Sequence, residues 1–352
     1  MRPEPAGPGS PAPAPTPART RSRAAGSAYL AIDVGGTTVK AAALADDGRV
    51  VVETPVPTGR GAAAVATVRA LARRLADAVG DHRVRSVGVA VPGLVDGTSG
   101  TVRYAANLDW RDVRLGDVLR RDLQALVRVE HDARAGALAH VADGSFGPTA
   151  SFVFVPIGTG VSAGVVVAGQ VVDGAAGEFG HVPAVPGGEP CTCGARGCVE
   201  AYASAHSLLR RYRASVPTSP PDLTAADVVA RTGVDPVADR VWAEGVDALA
   251  SGLIAVTALL DPDAVLLGGG VSRAGDELLR PLSRSLRVRM PWRPAPALRI
   301  SPHLDRAPLT GAAALALRGV VNPSDAAEHL RRLSAHLARP TRPPTERVST
   351  SP

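Results

Sequence analysis

The sequence predicts an α/β protein in which two lobes surround a cleft, and three observations support this prediction. Short apolar segments with the character of strands alternate with helical patterns along the chain, as in α/β architectures. The length of 352 residues corresponds to about two domains. Polar or glycine-rich turns follow five of the apolar segments, at the position where open α/β sheets bind their ligands.

Composition and charge restrict the class of protein. Hydrophobic residues make up 45% and charged residues 20% of the chain, as in globular proteins. The formal net charge is +6, of which residues 1–28 carry +3 and residues 321–352 carry +2. The body between them is nearly neutral, so we do not expect nucleic acid as a partner.

The sequence also argues against a membrane partner. No apolar run reaches the roughly 18 residues of a membrane span. The N-terminus contains arginines but lacks the apolar segment of a secretory signal. We therefore expect a cytoplasmic protein.

Composition divides the chain into four regions. Residues 1–28 are rich in Pro and Ala and predict a disordered tail. Residues 29–145 form the predicted N-terminal lobe, and residues 146–320 form the C-terminal lobe, whose last helix is expected to pack back on the first lobe. Residues 321–352 form an extension that we expect to be largely disordered, apart from one amphipathic helix within 320–338. Its apolar stripe consists of Leu330, Leu333 and Leu337.

The secondary-structure elements follow from apolar patterning. In the first half, the predicted strands are Tyr29–Asp33, Val39–Leu44, Val84–Val91 and Leu126–Glu130, and the helices cover 61–79 and 133–142. In the second half, the strands are Phe152–Ile157, Val165–Val167 and Ala264–Leu267, and a long helix covers about 239–259. Because parallel strands end at one edge of a sheet, we expect the turns that follow them to gather there.

The first glycine-rich turn consists of Asp33 and, after one valine, Gly35, Gly36, Thr37 and Thr38. Glycines let backbone N–H groups approach phosphate oxygens, and threonine hydroxyls could add donors. The Asp33 carboxylate could hold Mg²⁺ through water. The turn is not a Walker A loop because no Gly-Lys-Ser/Thr closes it. It does not open a long helix either, so it is not a Rossmann fingerprint.

A second turn of the same character consists of Gly158, Thr159 and Gly160, between two segments of a hairpin-like pair. Two such turns on the two halves of the chain suggest a phosphate chain that is gripped from both lobes. Glycine also punctuates ordinary loops, and this chain has 37 glycines. The prediction therefore depends on the set of turns rather than on one of them.

Asp132 stands where a predicted strand gives way to an Ala-rich helix. One interpretation is a helix N-cap, for which Asp is among the preferred residues. The other is a general base that takes the proton from an attacking hydroxyl during phosphoryl transfer. The two roles are compatible, so both stay open.

All three cysteines lie within eight residues, and a histidine precedes them by ten positions. A clustered, odd cysteine number without a secretory signal argues against disulfides. Three thiolates and one imidazole complete a tetrahedral structural Zn²⁺ site, and the alternative is a loop of free cysteines. The predicted ligands are His181, Cys191, Cys193 and Cys198. His140 and His206 lie in helical stretches and are interpreted as ordinary core or surface residues.

Two glutamates flank the cysteine cluster. Glu178 lies three residues before His181, and Glu200 lies two residues after Cys198. A bound zinc ion would bring these carboxylates together, and carboxylates accept hydrogen bonds from the vicinal hydroxyls of a sugar. Asn107 could add an amide. Without the flanking metal ligands, both glutamates would be interpreted as surface acids.

Together these residues resemble the ROK family (repressor, open reading frame, kinase) of sugar kinases. The matching motifs occur in the family's order over about residues 29–320. They are Asp33-Val-Gly-Gly-Thr, Pro92-Gly93, Asn107-Leu-Asp-Trp110, His131-Asp132-Ala, Gly158-Thr-Gly160, Gly177-Glu-Phe-Gly-His181, Cys191-x-Cys193-Gly-x-x-Gly-Cys198-x-Glu200 and Leu267-Gly-Gly-Gly270. The resemblance implies an actin-like, hexokinase-type ATPase fold with two α/β lobes.

The resemblance also implies roles for individual residues. The phosphates of ATP would lie at Asp33 to Thr37 and at Gly158 to Gly160, and the adenosine near Gly268, Gly269 and Gly270. Asp132 matches the family's catalytic base. The sugar-binding positions are Gly93, Asn107, His131, Asp132, Glu178, His181 and Glu200, and His181 also binds zinc. The most familiar activity with this set is that of a glucokinase, which makes glucose 6-phosphate.

Two positions depart from the family's pattern. His131 stands where the sugar kinases usually have Asn, which leaves the choice of hexose open, and Ser162 stands where they often have Gly. The alternatives are a kinase for another hexose or an N-acetylhexosamine, and a non-catalytic sugar sensor or transcriptional regulator. A regulator would have a DNA-binding domain before the sugar domain, whereas a short Pro/Ala-rich segment precedes the first predicted strand here. We expect a homodimer or homotetramer.

Overall fold

The structure is a computed structural model that describes residues 26–174 and 177–338. The strands are β1 (Ser27–Val34), β2 (Thr38–Ala45), β3 (Val50–Pro57), β4 (Arg83–Val91), β5 (Leu94–Asp96), β6 (Thr101–Ala105), β7 (Trp110–Val113), β8 (Leu126–His131), β9 (Phe152–Pro156), β10 (Gly164–Val167), β11 (Gln170–Val171), β12 (Ala264–Gly268) and β13 (Ala297–Ile300). The helices are α1 (Gly61–Ala78), α2 (Leu115–Leu123), α3 (Asp132–Ala142), α4 (Glu200–Ala203), α5 (Ala205–Ser215), α6 (Ala225–Ala230), α7 (Pro236–Leu260), α8 (Asp276–Arg289), α9 (Ala307–Leu317) and α10 (Pro323–Leu337). Short 3₁₀ turns cover Ala106–Leu108, Phe179–His181, Val271–Ala274 and Leu304–Arg306.

Two five-stranded sheets share one topology. The first has the order β3-β2-β1-β4-β8 and the second has the order β11-β10-β9-β12-β13. In the first sheet, β1 is antiparallel to β2 and parallel to β4, and in the second sheet β9 is antiparallel to β10 and parallel to β12. Strand β8 is parallel to β4, and β13 is parallel to β12. The chain therefore contains two structurally equivalent halves, and a three-stranded sheet of order β5-β6-β7 is added to the first.

Each sheet has its own hydrophobic core. In the first, α1 places Val68, Leu71 and Leu75 against apolar residues of the sheet. In the second, β9 and β12 pack with α7 and α8 through residues such as Leu253 and Leu282. The interior strands β1 and β12 are nearly continuous apolar runs because both of their faces are covered.

Helix α3 lies at the junction of the two halves. It packs against α9, which itself packs on β1 and β4 of the first sheet, and it contacts β9 and β10 of the second. Small residues permit these close contacts: a Cβ atom added to Gly311 of α9 would lie 1.7 Å from the carbonyl oxygen of Ala135. A Cβ atom added to Gly164 of β10 would lie 2.2 Å from the carbonyl oxygen of Ala133.

The predicted elements all have counterparts in the structure, and several more were missed. Strand β3 contains four valines, but Pro55 interrupts the run and its residues are half-exposed or exposed. The short strands β5, β6 and β7 alternate too briefly to be recognised. Helices α2, α4, α5, α6 and α8 and strands β11 and β13 were also not predicted, and α9 was expected only as a last helix of the C-terminal lobe, without bounds. These elements lie between segments whose patterns are stronger.

Two expectations about the ends need correction. The predicted tail 1–28 extends too far, because Ser27 and Ala28 already belong to β1 and pair with Arg83 and Val84. The rest of the tail, residues 1–25, lies outside the described residues.

The extension 321–352 is not largely disordered over its first part. Its predicted amphipathic helix is α10, which begins after Asn322, whose side chain accepts a hydrogen bond from the backbone N–H of Asp325. Leu330 and Leu333 are buried in a cluster with residues of α9 and the first sheet, and this burial stabilises the helix. Residues 339–352 lie outside the described part of the chain.

Helix α7 is, among the described residues, the one helix that is long and apolar enough to cross a membrane, with a mean hydropathy of 1.5 over its best window. The expectation that no apolar segment reaches this length was therefore too strong. The helix packs as a core element, since Val241, Leu249 and Leu253 are buried in the second core. By length and composition alone, such a helix is weak evidence for a membrane protein.

Candidate active site

The carboxyl ends of β1 and β8 place two carboxylates in the same electrostatic neighbourhood. Asp33 is the penultimate residue of β1 and is 7% exposed. Burial raises the pKa of Asp33 to about 7; Lys40 opposes this rise, and the charges of Asp132 and Asp305 add to it. A buried carboxylate with this pKa is poorly compensated, so the position favours a cation.

Lys40 connects this carboxylate to the second half of the molecule. Its Nζ lies 4.0 Å from Oδ2 of Asp33 and donates hydrogen bonds to the backbone oxygen and Oδ2 of Asp305, at 2.8 and 3.3 Å. Arg273 donates to the other carboxylate oxygen of Asp305 at 2.6 Å. The sequence did not identify Lys40 or Asp305, although Lys40 is the only lysine in the chain.

The first glycine-rich turn joins β1 to β2. The Gly35 N–H donates to the carbonyl oxygen of Thr38 at 3.0 Å, and the Thr58 hydroxyl donates to the carbonyl oxygen of Gly35 at 2.7 Å. Thr37 is exposed at the tip of the turn. A Cβ atom added to Gly36 would lie 3.3 Å from Cβ of Asn107, so the structure brings this predicted sugar ligand to the turn.

The second glycine-rich turn lies beside Gly268, Gly269 and Gly270, at the ends of β9 and β12. The N–H of Ile157 donates to the carbonyl oxygen of Gly268 at 2.9 Å, and the N–H of Val271 donates back to that of Ile157 at 3.0 Å. The N–H of Gly158 donates to the carbonyl oxygen of Gly160 at 2.9 Å and closes the second turn. Gly269 has φ = +78° and approaches Ile157 so closely that a Cβ atom would lie 2.4 Å from its carbonyl oxygen.

Asp132 is the first residue of α3, not its N-cap, which is His131. Its Oδ1 accepts a hydrogen bond from the Ala133 N–H at 2.6 Å, and its side chain is 29% exposed. The carboxylate therefore satisfies one backbone donor of the helix and keeps an accessible oxygen. The capping interpretation was wrong in position, although this local hydrogen bond has a similar effect.

His131 is buried directly beside that carboxylate. It is 4% exposed, and its Nε2 lies 3.3 Å from Oδ1 of Asp132. Its Nδ1 is buried without a hydrogen-bond partner among the described residues, and a Cβ atom added to Gly177 would lie 3.4 Å from it. His131 thus stands between Asp132 and the segment that leads to Glu178.

An ion pair that the sequence analysis missed fixes this region. Oε1 of Glu130 accepts hydrogen bonds from the His131 N–H at 2.7 Å and from Nε of Arg134 at 2.6 Å. Arg134, which is 4% exposed, also donates to the carbonyl oxygen of Gly174. The i, i+4 spacing of Glu130 and Arg134 on either side of the motif was the available sequence signal.

The four predicted zinc ligands converge. Their ligand atoms lie within 4.8 Å of one another. Sγ of Cys193 and Sγ of Cys198 are 3.8 Å apart, and Nδ1 of His181 is 3.7 Å from Sγ of Cys191. Zn–S bonds of about 2.3 Å in a tetrahedron place ligand atoms about 3.8 Å apart, so the arrangement has the size that zinc requires.

The ionisation of the thiols also favours a cation. Burial and the two neighbouring thiols raise the pKa of Cys198 to about 12. Three thiols at these distances do not ionise together unless a positive charge neutralises them. The donor set therefore fits a metal ion better than a loop of free cysteines.

The two predicted sugar-binding glutamates have different surroundings. Oε2 of Glu178 lies 3.6 Å from Nε2 of His181, and both side chains are partly exposed. Glu200 instead braces the second glycine-rich turn, because its Oε2 accepts a hydrogen bond from the Val161 N–H at 2.9 Å. A Cβ atom added to Gly160 would lie 2.6 Å from that oxygen.

Gly93 has a backbone reason to be glycine. Its φ is +93°, and a Cβ atom would lie 2.1 Å from the carbonyl oxygen of Tyr104. It forms the turn between β4 and β5, beyond the carboxyl end of β4. Gly93, Asp33 and Asp132 thus lie at the carboxyl ends of three neighbouring parallel strands of the first sheet.

Two equivalent α/β halves with the strand order described above, each with a glycine-rich turn between its first two strands, define an actin-like ATPase fold of the hexokinase type. The profile of the ROK family matches residues 29–319. The chain therefore belongs to the ROK family.

The relatives of this chain include glucokinases, an N-acetyl-D-glucosamine kinase and xylose repressors. A glucokinase of Halalkalibacterium halodurans is 34% identical over 283 residues, which cover 73% of this chain and 84% of the relative. A glucokinase of Streptomyces coelicolor is 31% identical over 82% of this chain and 96% of its own length. The crystal structure of a ROK glucokinase from Streptomyces griseus in complex with glucose and AMPPNP is 31% identical, with a TM-score of 0.73 over 83% of this chain and 100% of that one.

Proposed function

We propose that this protein is an ATP-dependent hexose kinase that phosphorylates the 6-hydroxyl of its substrate, with glucose as the expected hexose. The arrangement of the proposed cleft carries the proposal. The equivalent turns after β1 and β9 each contain glycines whose backbone N–H groups suit phosphate oxygens. The carboxylate of Asp132 lies near Asp33 at the carboxyl edge of the first sheet. The relatives that are glucokinases support the choice of sugar.

Asp132 is the proposed catalytic base. Its partly exposed carboxylate accepts the proton of the sugar 6-hydroxyl while that oxygen forms a bond to the γ-phosphorus of ATP, and the bond from that phosphorus to the bridging oxygen of ADP breaks. The proposed phosphate contacts are the turns Asp33 to Thr38 and Gly158 to Gly160. Gly268, Gly269 and Gly270 lie beside the second turn and are proposed to contact the adenosine.

Asp33 is the residue that fits Mg²⁺. Its carboxylate is buried, its pKa is raised to about 7, and its nearest cation, Lys40, lies 4.0 Å away rather than at hydrogen-bond distance. Mg²⁺ bound with ATP would supply charge neutralisation on the phosphates. Asp33 would orient that ion through its water ligands.

The sugar pocket is proposed to combine contacts from both halves. Asn107 and the backbone at Gly93 belong to the first half, and Glu178, His181 and Glu200 belong to the second. His131 lies beside Asp132 and is proposed to contact a sugar hydroxyl. Zinc, held by His181, Cys191, Cys193 and Cys198, would fix the loop that carries both glutamates.

The proposal is tested by following ADP release with glucose, mannose, fructose, N-acetylglucosamine, N-acetylmannosamine and allose. We expect turnover with glucose and a loss of kcat of at least about 10²-fold in Asp132→Asn, with hexose binding largely retained. Asp222→Asn changes an exposed carboxylate outside the site and serves as the matched control.

Two other outcomes would redirect the proposal. Turnover with another hexose or an N-acetylhexosamine would change the substrate but keep the chemistry. Sugar binding without ADP release from any of these sugars would indicate a sensor or regulator, and a normal rate in Asp132→Asn would exclude Asp132 as the base.

Cellular location and assembly complete the proposal. We propose a cytoplasmic protein, in keeping with the nearly neutral body and the position of α7 in the second core. We also propose a homodimer or homotetramer. Light scattering coupled to size-exclusion chromatography gives the molar mass, and a monomeric mass at working concentrations would contradict the second statement.

A further inference from the structure

A second cluster of metal-binding side chains lies at the far end of α3, away from Asp132. His140 is on the last turn of that helix, Asp143 follows it directly, and His303 lies between β13 and the 3₁₀ turn Leu304–Arg306. His140 lies eight positions after Asp132 on the helix, which is about 12 Å along the axis. The cluster is therefore distinct from both the proposed cleft and the cysteine cluster.

The three side chains present one nitrogen or oxygen atom each to a common point. These atoms all lie within 4.8 Å of one another. Nε2 of His303 lies 2.6 Å from Oδ2 of Asp143, and Nδ1 of His140 lies 4.0 Å from the same oxygen. A proton now joins His303 to Asp143, and the imidazole of His140 points at this pair without reaching it.

His140 provides the independent observation. It is 0% exposed, and its Nδ1 has no hydrogen-bond partner among the described residues. An unsatisfied polar atom in the protein interior is destabilising. The buried Nδ1 of His140 is satisfied if it binds a ligand that the protein takes up from solution.

The rest of the imidazole is already positioned as a ligand. Nε2 of His140 forms a hydrogen bond of 3.0 Å with the hydroxyl of Ser301, which is itself fully buried. Metal-binding histidines characteristically hold their second nitrogen in this way.

We propose that Nδ1 of His140, Oδ2 of Asp143 and Nε2 of His303 form a binding site for a divalent transition metal ion of the Zn²⁺ class. Two imidazoles and one carboxylate are a donor set typical of Zn²⁺ and unlike those of Mg²⁺ or Ca²⁺. Bonds of about 2.1 Å in tetrahedral geometry separate ligand atoms by about 3.4 Å. That distance lies between the 2.6 and 4.0 Å of the two measured pairs.

The ion would take the place of the proton between Asp143 and His303, and that proton would be released to solvent. The fourth ligand would be water. Because His140 and Asp143 lie at the end of α3 and His303 follows β13 of the second sheet, the ion would also tie these two elements together. The competing explanation is a hydrogen-bonded cluster of the same three side chains that connects these two elements without a metal.

The test counts metal ions on the full chain. Protein treated with chelator under reducing conditions is saturated with Zn²⁺, freed of excess metal and measured by elemental analysis. We expect the wild type to hold one equivalent more than His303→Gln and one more than His140→Ala. His206→Ala, which changes an exposed histidine elsewhere, should match the wild type.

A second measurement uses only the wild type and does not depend on the folding of variants. Co²⁺ added to the metal-free wild type should give one set of intense near-ultraviolet bands from thiolate ligation. It should also give visible bands that continue to grow after the thiolate bands are saturated. The proposal is overturned if the wild type and folded His303→Gln hold equal amounts of Zn²⁺, or if the thiolate and visible cobalt bands saturate together. Either result would show a hydrogen-bonded cluster without a metal.

Discussion

At the scale of single residues, Asp33 shows how the fold prepares a site for a cation. Its carboxylate is buried at the end of β1, and burial is the largest cause of its raised pKa. Lys40 is the one group that counteracts this rise. The ionisation of Asp33 near neutral pH therefore depends on a single lysine.

Lys40→Met tests this dependence through the pH profile. Asp33 is neutral below its pKa of about 7 and then cannot hold Mg²⁺, so we expect kcat/KM to fall as the pH drops through that value. Removing the lysine charge raises the pKa further and should move this acid limb to higher pH, by about one unit or more. An acid limb at the wild-type position would contradict the assignment; Arg74→Met, an exposed cation elsewhere, is the control.

Asp33→Asn tests the energetic cost of the same carboxylate. A folded-state pKa of about 7 against 3.8 in the unfolded chain means that stability is lost as the pH rises between these values, by an amount on the order of 4 kcal/mol. The neutral amide avoids this loss. We expect thermal melts without ATP or Mg²⁺ to show a higher Tm for the variant than for the wild type at pH 8, and a smaller difference at pH 5. The variant should also lose activity. An equal change in Tm at pH 5 and pH 8 would refute this account.

Single residues also show what sequence reasoning can find. The zinc ligands and the first glycine turn were predicted because their spacing is local and their residue types are rare. Lys40 and Asp305 are 265 positions apart, and no local pattern connects them. Glu200 was predicted as a sugar ligand, but its contact with the Val161 N–H depends on how two loops meet, which spacing does not reveal.

At the scale of elements, the loop from Phe179 to Cys198 is held at points far apart in sequence. His181 reaches the cysteine cluster through Nδ1 and faces Glu178 through Nε2. Isolated bridges join Pro183 to Cys198 and Pro190 to Arg196. The position of Glu178 is therefore coupled to the geometry of the four proposed zinc ligands.

Cys193→Ser should weaken hexose binding more than catalysis. Losing one proposed ligand frees His181, and through it Glu178, so we expect KM for the hexose to rise about 10-fold or more while kcat changes less. Kinetics and elemental analysis on the same preparation provide the measurement. An unchanged KM in protein that has verifiably lost its metal would show that the loop keeps its shape without zinc.

Elements differ in how well patterning predicts them. β1, β4 and β12 were identified because buried parallel strands are continuous apolar runs. Strand β3 pairs with β2 through its backbone, but Pro55 interrupts its valines and its side chains are half-exposed or exposed, so its sequence does not alternate clearly. The amphipathic pattern of α10 was correctly recognised in a region that its composition otherwise suggested was disordered.

At the scale of the whole molecule, the junction of α3 and α9 depends on residues without side-chain bulk. Gly311→Ala places a methyl group on the backbone of Ala135, with a nominal separation of 1.7 Å from its carbonyl oxygen. We expect a loss of about 3 kcal/mol or more in unfolding free energy, measured by denaturant unfolding. Gly147→Ala, at a glycine with open space around it, should change stability little; equal effects of both variants would contradict this view of the junction.

The two equivalent sheets were not visible in the sequence as a repeat. Their likeness is in strand order and direction, and the residues that fill the two cores differ. The prediction of two lobes came from length and from turns that follow strands. The topology shows why those turns matter: equivalent strands place the first and second glycine turns at corresponding positions in the two halves.

The small residues at this junction have a mechanical consequence. Large interlocked side chains hold two helices in one register. Glycines, alanine methyl groups and backbone carbonyls form shallower ridges, which restrict sliding of one helix along the other less. Helix α9 rests on β1 and β4, and α3 lies against β9 and β10. A short slide of one helix along the other is the elementary step of shear motion between domains. Here such a slide would change the opening between the two halves while both hydrophobic cores stay intact.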